Sequence, residues 1–170
     1  MIITRTYKEL EDVLMDPKGS KIKEPYCVIL GDGQDITVIN PGKNGTEFNK
    51  TYGHLNKYQG VEIYQCLSGQ GIVVLQRNDE NGEAKEFKVA TLSSGRQVEV
   101  PEGYGHCLVN VGKGYLVVLD NAPGHGPKYQ DYSSVKAKKG FAYYIVEKKG
   151  EIGFEKNLNY RVHPQISTEY

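Results

Sequence analysis

Three residues in the middle of the chain are of the types that bind a transition metal together with a substrate. His54 and Asn56 alternate along a strand-like run, so a period of two places both side chains on one face. A turn at Gly60 leads to a second strand-like run that carries Glu62. We expect the two runs to pair as a hairpin that sets the Glu62 carboxylate opposite the His54 imidazole.

A second stretch supplies another imidazole. Pro101 and Gly103 form a turn that delivers His106 onto a new strand, because proline fixes one backbone angle and glycine permits the unusual one that follows. Imidazole nitrogens and a carboxylate oxygen suit Fe, Mn, Ni, Co or Zn and leave positions open for substrate. We therefore predict one divalent transition metal per subunit, bound by His54, Asn56, Glu62 and His106. Asn56 is the weak member, since an amide oxygen is a poorer ligand than imidazole.

The elements around these residues are short and mostly strand-like. Leu10, Val13 and Leu14 fall at helical spacing before Pro17, which predicts one short N-terminal helix. From Pro25 onward, short runs rich in β-branched residues alternate with glycine-containing turns. Strand-like runs are expected at 26–30, 36–39, 72–75, 86–91, 97–100, 107–111, 115–119 and 141–146. Such a pattern without intervening helices argues for an all-β sandwich or barrel.

The second stretch fits the second motif of the cupin superfamily, Gly-x5-Pro-x-Gly-x2-His-x3-Asn, at every specified position. Those positions are Gly95, Pro101, Gly103, His106 and Asn110. The resemblance implies a cupin double-stranded β-helix, a jelly-roll barrel, with the short N-terminal helix added. We divide the chain into an N-terminal helical or extended segment at 1–24, a cupin barrel at 25–147 and a polar C-terminal tail at 148–170.

The first stretch resembles the first cupin motif through His54, Glu62 and Gly69, with Asn56 in the place of the second histidine. Within the cupins, residues 26 to 146 are similar to the glucose-6-phosphate isomerases of archaea and some bacteria. That resemblance implies a homodimer that interconverts glucose 6-phosphate and fructose 6-phosphate. The metal would act as a Lewis acid, and the mechanism would be either proton transfer by Glu62, the candidate catalytic base, or a hydride shift.

The same resemblance implies how the sugar phosphate is held. It matches Thr37, Thr51, Gly53 and Tyr132 to phosphate-binding positions; hydroxyls and a backbone amide without a neighbouring Cβ suit a phosphate. Strand propensity is the competing explanation for the threonines. Where the family's loop has a tyrosine and then a histidine near the sugar, the Gly- and Pro-rich loop after Leu119 has Asp120-Asn121 and either His125 or Gln130.

Three other functions stay open at this point. A non-catalytic cupin that binds or senses a sugar phosphate is favoured by Asn56, which removes one metal ligand. Another cupin sugar isomerase, or a cupin oxygenase, is possible because one barrel hosts many chemistries, although the 37–53 segment argues against an oxygenase, which needs no phosphate pocket.

Composition limits the location and the partners of the protein. The 21 basic and 21 acidic residues balance without a block of one sign, so we expect no nucleic-acid and no membrane partner. No apolar run is long enough to span a bilayer, and we expect a cytoplasmic protein. Cys27, Cys66 and Cys107 are an odd number without paired spacing and are interpreted as buried structural thiols.

Overall fold

The computed structural model describes residues 1–19 and 22–169; Ser20, Lys21 and Tyr170, which fall in the predicted terminal segments, lie outside the described residues. The described strands, in chain order, are β1 (Ile2–Arg5), β2 (Tyr26–Leu30), β3 (Asp35–Ile39), β4 (Lys43–Asn44), β5 (Glu47–Phe48), β6 (Leu55–Asn56), β7 (Glu62–Ser68), β8 (Gln70–Asn78), β9 (Ala84–Ser93), β10 (Gln97–Val100), β11 (Gly105–Asn110), β12 (Leu116–Asp120), β13 (Gln130–Asp131), β14 (Tyr143–Lys148), β15 (Glu151–Lys156) and β16 (Ile166–Glu169). The helices are α1 (Tyr7–Leu10), a 3-10 turn (Glu11–Val13) and α2 (Ser133–Ala137).

The strands form two principal sheets, which confirms the predicted all-β cupin fold. One sheet has the order β1-β2-β3-β12-β7-β10, and the other has the order β11-β8-β9-β16. Two smaller sheets, β13-β6 and β15-β14-β5-β4, lie beside them. Neighbouring strands are antiparallel except for β16, which runs parallel to β9. The described ladders do not close into one continuous ring.

Alternating side chains explain why the sheets enclose an interior. In β3, β7 and β12, buried positions alternate with partly exposed ones, as expected when one face covers a core. All six residues of β11 are buried, because this strand is covered on both faces. Cys66 and Cys107 lie in the core, in agreement with structural thiols, whereas Cys27 is only half-buried; none of the three forms a disulfide.

The predicted N-terminal helix is present. It begins with a capping box: the Thr6 hydroxyl accepts a hydrogen bond from the backbone N–H of Glu9, and the Glu9 carboxylate accepts one from the backbone N–H of Thr6. The segment is tied to the barrel by a buried hydrogen bond from Lys50 Nζ to the carbonyl oxygen of Val13 at 2.6 Å. Lys50 is itself paired with Glu47 of the barrel, with Nζ 2.8 Å from Oε2. Within 1–19 and 22–169, no helix combines the length and the apolar character that crossing a membrane requires.

Three features differ from the expected arrangement or were not foreseen. The hairpin expected around Gly60 is wrong, because β6 pairs with β13 while β7 pairs with β10 and β12. The chain crosses between sheets at this turn instead of folding back on itself. Strand β1, which pairs with β2, was not predicted, and the polar C-terminal part contributes β15 and β16.

Candidate metal centre

The two candidate histidine ligands are cross-strand partners. The backbone N–H of His54 donates to the carbonyl of His106 at 3.1 Å, and the N–H of His106 donates to the carbonyl of His54 at 3.0 Å. Directly opposed residues in an antiparallel pair project their side chains to the same face. The two imidazole centroids accordingly lie 4.5 Å apart. Backbone pairing therefore fixes both rings side by side.

Glu62 reaches these rings from the other principal sheet. It begins β7, where its Cα pairs with Val100, and the residue is 2% exposed. Its Oε2 lies 3.1 Å from His106 Nε2. One donor atom from each of His54, Glu62 and His106 lies within 4.8 Å of the other two. The three residues are thus brought together, although by the meeting of two sheets and not by a hairpin.

The donor set fits a cation. Nδ1 of His106 lies 3.2 Å from the carbonyl oxygen of Tyr104, and in the tautomer that donates this bond Nε2 carries a lone pair. Nε2 is buried and has no partner of hydrogen-bond geometry among the described residues, although the Glu62 carboxylate is next to it. An imidazole held by a backbone carbonyl, with its other nitrogen beside a carboxylate, is an arrangement typical of metal-binding histidines.

Electrostatics keep the donors in their ligating forms. Burial, reinforced by the nearby His106, lowers the pKa of His54 to about 3, so its ring is neutral at neutral pH. Burial raises the pKa of the Glu62 carboxyl, but the contacts with His106 and Asn56 outweigh it, and the pKa falls to about 2. A neutral imidazole at His54 and an ionised carboxylate at Glu62 are the forms in which these side chains bind a divalent metal.

Asn56 also reaches the site. Its Nδ2 donates to Glu62 Oε2 at 2.6 Å. In this arrangement the Asn56 amide nitrogen holds the Glu62 carboxylate in place, and the Asn56 amide oxygen takes no part in that contact. The assignment of Asn56 as a metal ligand stays a prediction.

The four residues matched to phosphate binding line one cavity together with His54 and Glu62; they are Thr37, Thr51, Gly53 and Tyr132. Gly53 has a φ of +90°, and a Cβ there would lie 2.7 Å from Phe141 Cε2, so both conformation and space demand glycine. The Thr51 hydroxyl accepts a bond from the backbone of Leu108 at 3.0 Å and still has its proton to donate.

The loop after β12 contributes both of the residues that sequence alignment left as alternatives. His125 and Gln130 line the same cavity. Gln130 Nε2 lies 3.4 Å from His54 Nε2 and 3.4 Å from His125 Nδ1, while its Oε1 accepts from Tyr132 at 2.7 Å. Gln130 therefore links the candidate metal centre to the loop.

Sequence reasoning missed the chemistry of two residues near Glu62. Asp120 is buried in the cavity wall, and burial raises its pKa to about 7, with Glu62 and Asp35 adding to the effect. The hydroxyl of Tyr58 is buried near the Glu62 carboxylate, and burial together with Glu62 raises the pKa of Tyr58. Neither residue belongs to a motif; only the fold places them here.

The fold and the site together define a cupin with a His/Glu/His group that can hold one metal ion. The family model described as "Glucose-6-phosphate isomerase (GPI)" matches residues 19–163. The chain belongs to the glucose-6-phosphate isomerase family.

Individual relatives agree with the family match. The glucose-6-phosphate isomerase of Pyrococcus furiosus is 34% identical over 157 residues, which cover 87% of this chain and 75% of that protein. That of Thermococcus kodakarensis is 37% identical over 120 residues, which cover 68% of this chain and 58% of that protein. Among solved structures, an oxalate decarboxylase of Lactobacillus farciminis in a formate complex aligns with a TM-score of 0.48 at 18% identity, over 64% of this chain and 32% of that one.

Proposed function

We propose that this protein is a metal-dependent aldose–ketose isomerase that interconverts glucose 6-phosphate and fructose 6-phosphate. The observation that carries the proposal is the common cavity, in which His54 and Glu62 of the His/Glu/His group lie beside the four residues matched to phosphate binding. Family membership narrows the substrate to a hexose 6-phosphate.

In the proposed reaction, the phosphate end of the sugar lies against Thr51, Gly53 and Tyr132, and the carbonyl end lies against Glu62. His54, Glu62 and His106 would hold the divalent metal, which would supply Lewis acidity at the carbonyl end of the sugar. A carboxylate removes the proton from C2 of the open-chain aldose and returns it to C1, while a hydroxyl proton moves from O2 to O1. Proton transfer of this kind contributes about 10²- to 10⁴-fold in rate.

Two of the carboxyl groups that line the cavity, those of Glu62 and Asp120, are candidates for this step. Glu62 is the proposed catalytic residue, and it is an anion, but a pKa of about 2 makes it a weak base. Asp120, with a pKa of about 7, has a basicity better matched to neutral pH. To serve both as metal ligand and as catalytic base, Glu62 needs a higher pKa once the substrate is bound. Asp120 is the second candidate for the catalytic base.

The finer properties of the protein are also part of the proposal. We place Fe, Mn, Ni or Zn in the site, one ion per subunit, because nitrogen and carboxylate donors suit all four. A homodimer in the cytoplasm, acting on a small sugar phosphate without nucleic-acid or membrane partners, follows from the family resemblance and the balanced charge.

The test is a coupled assay for conversion of fructose 6-phosphate to glucose 6-phosphate. Metal-stripped protein is assayed alone and after addition of Mn²⁺, Fe²⁺, Ni²⁺ or Zn²⁺. We expect turnover that appears with metal and disappears with chelator. Absence of turnover with every metal, from folded protein that still binds fructose 6-phosphate, would overturn the proposed activity.

A second candidate function rests on Asn56. At this position the first cupin motif has a histidine, whereas the amide of Asn56 donates a hydrogen bond to Glu62. A cupin that binds a sugar phosphate without converting it needs the cavity but not a complete ligand set. Saturable binding of fructose 6-phosphate by protein that lacks turnover with all four metals would favour this sensing function.

A further inference from the structure

The proposed substrate carries a charge that the cavity itself does not balance. A phosphate monoester bears about −1.5 to −2 charges at pH 7. The described residues that line the cavity include the carboxyl groups of Asp35, Glu62 and Asp120 but no lysine or arginine, so the only positive charge inside it would be that of the metal proposed beside Glu62. Like charges in a buried site repel strongly because the local dielectric constant is low. The hydroxyls of Thr51 and Tyr132 provide hydrogen bonds, but they do not neutralise a dianion.

The N-terminal strand places a cation at the mouth of this cavity. Arg5 ends β1, where its Cα pairs with Tyr26 of β2. Tyr26 and Tyr132 line the cavity, and both also line an adjoining opening whose wall includes Arg5 and Gly126. Arg5 therefore lines the same opening as the two tyrosines that also line the cavity.

Arg5 has donors to spare for a ligand. Its Nη1 lies 3.2 Å from Glu9 Oε1, and the Arg5 side chain is 28% exposed. The other Glu9 oxygen accepts bonds from the backbone N–H of Thr6 at 2.7 Å and from the Thr6 hydroxyl at 2.9 Å. A guanidinium has five N–H donors in a planar fork that matches two phosphate oxygens. The ion pair with Glu9 accordingly leaves most of this fork available.

The electrostatic effect of Arg5 extends over the same wall. Burial raises the pKa of Tyr132, and the guanidinium of Arg5 opposes that rise. Arg5 also acts on Tyr26, Tyr52 and His125, all of which belong to the cavity or its opening. Four side chains around the mouth therefore sense one positive charge.

We propose that Arg5 binds the phosphate group of the substrate and makes the protein select phosphorylated over unphosphorylated sugars. The inference rests on the proposed function and deepens it by naming the group that recognises the phosphate. Arg5 is a binding residue in this assignment and takes no part in proton transfer.

Direct binding of inorganic phosphate, measured by calorimetry, tests the inference without requiring turnover. Arg5→Gln should weaken phosphate binding about 10- to 100-fold, because one charge-assisted contact is lost, and Arg5→Lys should recover part of it. In the coupled assay, Arg5→Gln should raise KM for fructose 6-phosphate by a similar factor and leave kcat within about twofold.

Two control variants separate charge recognition from structure. Glu9→Gln removes the same ion pair while keeping Arg5 and an amide that can still cap Thr6. Lys8→Gln removes one positive charge from an exposed position that does not line the opening. Both should bind phosphate within about twofold of the unaltered protein. If Glu9→Gln loses phosphate binding as Arg5→Gln does, the effect of Arg5 is structural and the inference is wrong.

Unaltered phosphate binding by Arg5→Gln would also overturn the inference. Failure of the proposed function gives a different result. In that case the unaltered protein shows no turnover with any metal, but phosphate binding still depends on Arg5. If Arg5→Gln does not fold, the comparison of Arg5→Lys with the unaltered protein decides, since a lysine that keeps full affinity would exclude recognition by the planar fork.

Discussion

Asp120 provides a quantitative test of the electrostatics of the cavity. It is 8% exposed, its Oδ1 accepts a bond from the N–H of Ala122 at 2.9 Å, and its Cα pairs with Asp35. Burial, opposed by that bond and increased by Glu62 and Asp35, raises its pKa from 3.8 to about 7. The folded carboxyl therefore holds a proton more tightly than the unfolded one. The contribution of this carboxyl to the free energy of unfolding is therefore fully present below about pH 4 and is lost as the pH rises through about 7.

The size of the effect follows from the difference between the two pKa values. The shift from 3.8 to about 7 is about 3 units, and at about 1.36 kcal/mol per unit this corresponds to roughly 4 kcal/mol as an upper value. Solvent reaching the cavity reduces it, and we expect about 2 to 4 kcal/mol. Asp120→Asn keeps an oxygen for Ala122 and cannot ionise. It should therefore be more stable than the unaltered protein by that amount at pH 8.5 and about equal to it at pH 4.

The assay is urea unfolding of metal-free protein in chelator, followed by far-ultraviolet circular dichroism because the chain has no tryptophan. Metal is removed because a cation beside Glu62 would favour the ionised form of Asp120 and shrink the effect. Asp32→Asn, at an exposed position, is the matched control and should follow the unaltered protein at both pH values. Parallel pH dependence of Asp120→Asn and the unaltered protein would refute the reasoning.

Three further predictions concern the site itself. Glu62→Gln should lower kcat about 100-fold or more with inorganic phosphate affinity nearly unchanged, and a fully active variant in the coupled assay would point to a hydride shift or to Asp120 as the base. Asn56→His places an imidazole where an amide now lies 2.6 Å from Glu62; calorimetry should show Mn²⁺ or Zn²⁺ bound roughly tenfold more tightly or better, and equal affinity would mean that position 56 does not face the metal. Gly53→Ala should lower the free energy of unfolding in urea by about 1 to 3 kcal/mol. Gly60→Ala is the control and should lower it less, because Gly60 also has a positive φ but has nothing within 4 Å of its Cβ position. Equal losses would show that the Phe141 ring moves aside without destabilising the fold.

Much of the fold was predictable because it depends on local patterns. The runs at 26–30 and 97–100 match β2 and β10 residue for residue, since glycine and proline mark their ends and β-branched residues fill them. Pro101 and Gly103 likewise identified His106. Period-two alternation states which face a side chain occupies, but it does not state which strand lies opposite. For that reason Glu62 was expected on a hairpin with His54 and instead lies on the other sheet.

The rest depended on contacts distant in sequence. Strand β1 is too short and too exposed to carry a pattern, and only its pairing with β2 makes Arg5 part of the cavity mouth. Asp120, His125 and Gln130 lie at or beyond the end of β12, where glycine and proline leave the backbone path open. The contacts of Gln130 with His54 and His125 depend on the folded loop and not on any spacing in the sequence.

The reciprocal backbone hydrogen bonds between His54 and His106 have a consequence for how the protein would obtain the proposed metal. The two rings are held by the sheet, so the ligands are in place before an ion arrives and the ion contributes little to folding. A protein of this kind can lose and regain its metal while folded. The ion it carries is then set by the relative affinities of nitrogen and carboxylate donors and by the free concentration of each metal in its surroundings. The same chain should accordingly carry different metals when it is produced under different metal supply.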